Sequence, residues 1–152
     1  MDQMTTVIPS AAEPRSVSQY MLNRTGHALM TGDLPLYLSC YILPHHIQTF
    51  EGRHNIRDIA ALTQVFHDVR SDYARLGVTS LERYCTQATS PAPDRVNAHY
   101  VSRALAGSQL VYRPFPALTE LHFVDGDWRV GNCQYAIADA PHLVQALLGP
   151  RT

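Results

Sequence analysis

Residues 123–130 read Phe123-Val124-Asp125-Gly126-Asp127-Trp128-Arg129-Val130, and the fold turns on them. An Asp-Gly pair between two runs rich in aromatic and β-branched residues signals a two-residue hairpin loop, whose central residues need a left-handed backbone. Such a loop sets the register of the flanking strands. It pairs Phe123 with Trp128, Leu121 with Val130, and Thr119 with Asn132. This face carries the aromatic residues and is expected to point at helices, with Asn132 and Gln134 reaching the interior. Glu120, His122 and Arg129 fall on the opposite, outer face.

Working outward, residues 110–124 and 127–137 read as the two long strands of this hairpin. Pro114 and Pro116 interrupt the first and mark an edge or a bulge. Residues 79–87 and 95–105 read as further strands, joined by a loop at 89–94 that holds two prolines. The plainest helix lies before them. Ile59, Leu62, Phe66, Val69, Tyr73 and Leu76 recur at spacings of three and four, which makes one apolar stripe. Asn55 is the expected N-cap with Asp58 at N3, giving a helix over 56–76 that Gly77 ends. A strand-like hairpin over 42–50 turns at Glu51-Gly52. A short helix over 34–41 opens at Asp33. The first helix, over 17–31, takes Ser16 and Gln19 as a capping box. Residues 1–15 are expected to form a flexible arm. Asp139 is the expected cap of a last helix over 140–148, ended by Gly149.

Helices gathered before a meander of antiparallel strands define an α+β domain, here over residues 16–149. Long bent strands wrapped around an amphipathic helix would close toward a barrel and enclose a cone, with a cavity at its wide end. The 152 residues suffice for one solid core. With a net charge of −1 and no basic cluster, the chain lacks the footprint of a nucleic-acid binder. All twelve basic residues are Arg, which excludes lysine-dependent chemistry and fits a GC-rich genome. The three cysteines are widely spaced and form neither a disulfide framework nor a metal cage. No stretch has the length of a membrane span, and residues 1–14 do not read as a signal peptide. The cytoplasm is the expected location.

Several local patterns, in this order, resemble the nuclear transport factor 2-like superfamily, with its SnoaL-like polyketide cyclases and ketosteroid isomerase-like members. They are Ala28-Leu29-Met30-Thr31-Gly32-Asp33 leading to Tyr37, then Phe50-Glu51-Gly52-Arg53 followed by Ile56, then the 123–130 hairpin. The resemblance spans about residues 16–137. It implies a cone-shaped, strongly bent antiparallel or mixed sheet around N-terminal helices, the cystatin-like architecture. It also implies a homodimer through the outer sheet face. The fold hosts isomerases, dehydratases, cyclases and non-enzymes alike, so it leaves function open.

The candidate site follows from the residues lining the expected cone. Ketosteroid isomerases of the superfamily place a general-base Asp on the strand after the second helix. The matching stretch here, Tyr41-Ile42-Leu43-Pro44-His45-His46, has no acid. A histidine there would suit proton transfer near neutral pH, and strand alternation lets only one of His45 and His46 face inward. Tyr20 and Tyr41 are candidate pocket hydroxyls, Asn132 a candidate oxyanion donor, and Trp128 a candidate pocket wall. His99 and Tyr100 sit on opposite faces of one strand, and alternation does not choose between them. No metal-ligand spacing and no cofactor motif is present. Two functions fit. One is a cofactor-free acid–base enzyme, an isomerase, cyclase or dehydratase acting on a small apolar carbonyl compound. The other is a non-catalytic small-molecule-binding or dimeric scaffold protein.

Overall fold

The computed structural model describes residues 7–149; the first six residues of the expected arm lie outside the described ones. Helix α1 spans Pro14–Thr31, α2 Leu34–Ser39, α3 Ile59–Leu76 and α4 Pro141–Leu148. The strands are β1 Tyr41–Thr49, β2 Gly52–Ile56, β3 Ser80–Ala92, β4 Arg95–Ala106, β5 Gln109–Leu110, β6 Phe115–Val124 and β7 Asp127–Tyr135. They form one curved mixed sheet in the order β2-β1-β7-β6-β4-β3, with β5 beside β4. Only the β1–β7 pair is parallel. The sheet does not close into a barrel, because β2 and β3 remain its two edges.

The deciding hairpin forms as read. Asp125 and Gly126 have φ of 53° and 85°, both left-handed, and Phe123 pairs with Trp128 and Leu121 with Val130. Beyond Val130 the expected register fails. Gly131 is an extra residue, so Asn132 faces Glu120 and Cys133 faces Thr119. A bulge inserts one residue and moves every later side chain to the other face. Cys133 is therefore buried, while Asn132 is half-exposed and Gln134 exposed on the outer face.

Helix starts also differ from expectation. Pro14 begins α1 early, so Ser16 lies within the helix, and the N-cap residue Glu13 makes no side-chain cap bond. Gln19 instead joins helix to sheet, donating to the Arg83 carbonyl and accepting from the Cys85 amide. Asp58, not Asn55, caps α3 by accepting from the Ala61 amide at 2.8 Å. Asn55 and Ile56 are committed to β2, where they pair with His46 and His45. Asp139 makes no cap bond; it has φ of 62° and pairs with Arg113 at 3.5 Å.

The prolines sort by ladder position. Pro91 lies within β3 rather than in a loop, because an edge strand tolerates a missing N–H. The expected long strand breaks over residues 111–114, ending at Pro114, into β5 and β6, while Pro116 lies within β6 opposite Val101. The helices then cover the concave face. Leu62, Phe66 and Val69 of the α3 stripe are buried against Ile47, Ile56 and α4, whereas Ile59 at the stripe's start is exposed. A second cluster sets Val17 and Met21 of α1 against Val96, Leu121, Trp128 and Val130. Each large side chain so buried contributes roughly 1.5–3 kcal/mol.

Candidate functional site

The two clusters leave between them a cavity of about 20 Å³, where α1 crosses the concave face of the sheet. That volume holds about one water molecule. Helix α1 turns Ser18 and Thr25 toward it, β1 supplies Tyr41, β3 Arg83 and β4 Tyr100, and β7 adds Cys133 and Tyr135. The last two point inward because of the Gly131 bulge; an unbroken register would bring in Asn132 and Gln134.

This lining is rich in donors. Burial raises the Tyr41 and Tyr135 phenols well above the ordinary value, and raises Tyr100 strongly. All three are neutral hydroxyls at physiological pH. Burial also raises the Cys133 thiol, which keeps it protonated and a poor nucleophile. Arg83 is charged at any ordinary pH. Its Nη2 donates to the Leu22 carbonyl at 2.6 Å and to Thr25 Oγ1 at 2.7 Å. Its guanidinium carbon lies 6.0 Å from the centre of the Tyr100 ring. Ser18 Oγ is buried with no hydrogen-bond partner.

The two candidate histidines part company. His45 is 1% exposed and stands edge-on to Tyr41, with ring centres 4.8 Å apart; Tyr41 lines the cavity and His45 does not. Burial lowers its pKa to about 4, against a Gly131 backbone contact that works the other way, and the ring is neutral at pH 7. His45 Nδ1 lacks a partner. His46 is exposed on the outer face, where its Nδ1 meets Asn55 Oδ1 at 2.8 Å. Alternation in β4 puts Tyr100 inside and His99 outside.

No protein-family model matches the sequence, and no curated protein does. Solved structures do match in shape. An NTF-2-like protein of unknown function from Shewanella oneidensis MR-1 superposes with a TM-score of 0.63 at 10% identity, covering 79% of this chain and 96% of that one. A protein of unknown function from Mycobacterium tuberculosis gives 0.62 at 17% identity, over 89% and 90%. An NTF2-like protein of unknown function from Pseudomonas putida KT2440 gives 0.61 at 16% identity, over 95% and 100%. The chain has the NTF-2-like fold. At these identities the likeness speaks for the fold alone.

The remaining candidates of this NTF-2-like chain lie away from its cone. Tyr20 donates to Asp127 Oδ1 at 2.9 Å and carries Arg24 over its ring, which ties α1 to the tip of the hairpin. Trp128 is 1% exposed and donates from Nε1 to the Pro9 carbonyl, so it packs the N-terminal segment instead of lining the cavity. Asn132 and His99 edge a shallow outer groove of about 190 Å³ with Glu120. An adjoining groove of about 320 Å³ holds Leu118 and the 75%-exposed Phe50. Of the expected pocket residues, Tyr41 and Tyr100 meet at the cavity. Arg83, Tyr135, Cys133 and Ser18 were missed. Arg83 stands between Leu81 and Cys85 on its strand face, and one arginine among twelve gave no signal of its own. Among the described residues, no three His, Cys, Asp or Glu side chains converge on a metal position.

Proposed function

We propose that this chain is a non-catalytic small-molecule-binding protein of the NTF-2-like fold. The observation that carries the reading is the make-up of the cone's wall. Three neutral phenols, a hydroxyl with no partner and a fixed cation converge there, and no proton acceptor of suitable pKa joins them. Such a wall can orient an oxygen-bearing ligand through hydrogen bonds. Proton transfer would need a base within about 3 Å of the ligand. Of the two candidate histidines His45 is the buried one, and it packs against Tyr41 without lining the cavity. An acid–base enzyme is thus the weaker reading.

Native mass spectrometry of the purified full chain tests the proposal. The expected result is a non-covalent adduct of discrete mass that is released chemically unchanged. An adduct recovered as a reaction product after incubation would contradict it.

The outer face supports a second element of the proposal, a homodimer. Phe50 and Leu118 are exposed beside one apolar groove on the convex side of the sheet. A self-complementary patch of this kind suits a two-fold interface. Among the described residues no helix is long and apolar enough to cross a membrane. All three cysteines are free thiols, which suits the reducing cytoplasm.

A further inference from the structure

We infer that the cone takes a small oxyanion, a carboxylate in the first instance, held by Arg83 and admitted between α1 and β3. The inference rests on the proposed binding role of the cone and names the class of its ligand. Arg83 is the key because, of the arginines without an ion pair among the described residues, it is the one that lines this cavity. Arg24, Arg75, Arg103 and Arg113 each pair with an Asp or Glu. Arg83 pairs with no carboxylate among the described residues, and both of its hydrogen bonds run from Nη2 to neutral oxygens. Nε and Nη1 have no protein acceptor among the described residues. A guanidinium offers two parallel N–H groups to a carboxylate, and these bonds are stronger than those to neutral acceptors.

The surroundings agree. Ser18 Oγ, in a residue 1% exposed, lines the same cavity and has no partner. The Tyr41, Tyr100 and Tyr135 hydroxyls line the same cavity, hydrogen-bonded to Tyr37, to one another and to Cys133, so an oxygen placed there would meet a polar wall. The walls are otherwise aromatic and aliphatic, which suits a carboxylate on an apolar body.

Size sets the route. A cavity of about 20 Å³ takes no such ligand, but Arg83 also lines an open groove of about 360 Å³ between α1 and the start of β3. Arg83 and Leu22 line both spaces. The Arg83 guanidinium abuts Gly26 of α1 with its Nη2 end, where an added Cβ would stand 2.9 Å from Nη2. Moving this one flexible side chain joins cavity and groove, and an arriving anion would replace the two neutral acceptors that hold it.

The test compares benzoate with its neutral isostere benzamide, titrated calorimetrically into the full chain and into the Arg83→Met and Arg83→Lys variants. The native chain is expected to bind benzoate at least about tenfold tighter than benzamide, the size of one charged hydrogen bond. Arg83→Met is expected to abolish that preference and Arg83→Lys to retain part of it. Equal binding of the two ligands by the native chain would overturn the anion site while leaving the cone as a binding site. A preference that survives Arg83→Met would also overturn it. Failure of both ligands to bind would overturn the anion site and the binding role together. Should Arg83→Met not fold, the ratio measured on the native chain decides.

Discussion

A buried imidazole is tolerated while it is neutral, and His45 is held that way. Its folded pKa of about 4 lies below the ordinary value of about 6.5. Between these values the unfolded chain binds a proton that the folded chain does not. The stability tied to His45 is therefore complete above about pH 6.5 and is lost as pH falls toward 4. The shift corresponds to roughly 3 kcal/mol. Urea unfolding of native chain and His45→Phe from pH 7 to pH 4.5 is expected to show a steep loss in the first and a shallower one in the second. Parallel curves would mean that His45 is solvated. At this scale the sequence was half legible. It pointed to Tyr41 and left His99 and Tyr100 open, because both alternation sets of that strand hold apolar residues. It did not separate His45 from His46, since the irregular β1–β7 pairing around Pro44 decides which ring turns in. Arg83 was hidden by composition: one inward arginine looks like any of twelve.

Elements are decided by competition for the same residues. Asn55 is a good cap by type, yet its backbone belongs to β2, so the helix begins at the next acceptor, Asp58. Asp58→Ala is expected to cost about 1 kcal/mol in chemical denaturation. Asn55→Ala, which removes only an exposed contact with His46, is expected to cost less than about 0.5 kcal/mol. The reverse order would restore the helix start at residue 56. The Gly131 bulge is the other competition, and pairing arithmetic from the turn cannot see an extra residue six positions away. A Cβ at Gly131 would stand 2.8 Å from the His122 ring, which is tethered to Glu120 at 3.0 Å. Gly131→Ala is expected to destabilise by about 1 kcal/mol, and His122→Ala in the same chain to relieve most of that. Additive effects would show that the two do not touch.

For the molecule as a whole, the α+β class and the wrapped concave sheet were legible from helices followed by a meander and from one hairpin. The barrel was not, because closure depends on whether the edge strands β2 and β3 meet, and no residue pattern states that. The proposed dimer belongs to this scale. Leu118→Arg places a charge in the outer groove and is expected to convert a dimer to a monomer in sedimentation analysis, with the thermal midpoint of the monomer fold little changed. A native chain that sediments as a monomer at all concentrations would remove the dimer and leave the cone untouched. The proposed ligand site lies inside the cone, behind Arg83. A titration with benzoate, followed on the ring signals of a tyrosine-labelled chain by NMR, addresses it most directly. The Tyr41, Tyr100 and Tyr135 signals are expected to move together and saturate, while Tyr84, on the exposed side of β3, stays still. Saturating shifts at Tyr84 alone, or none at the three interior rings, would contradict it.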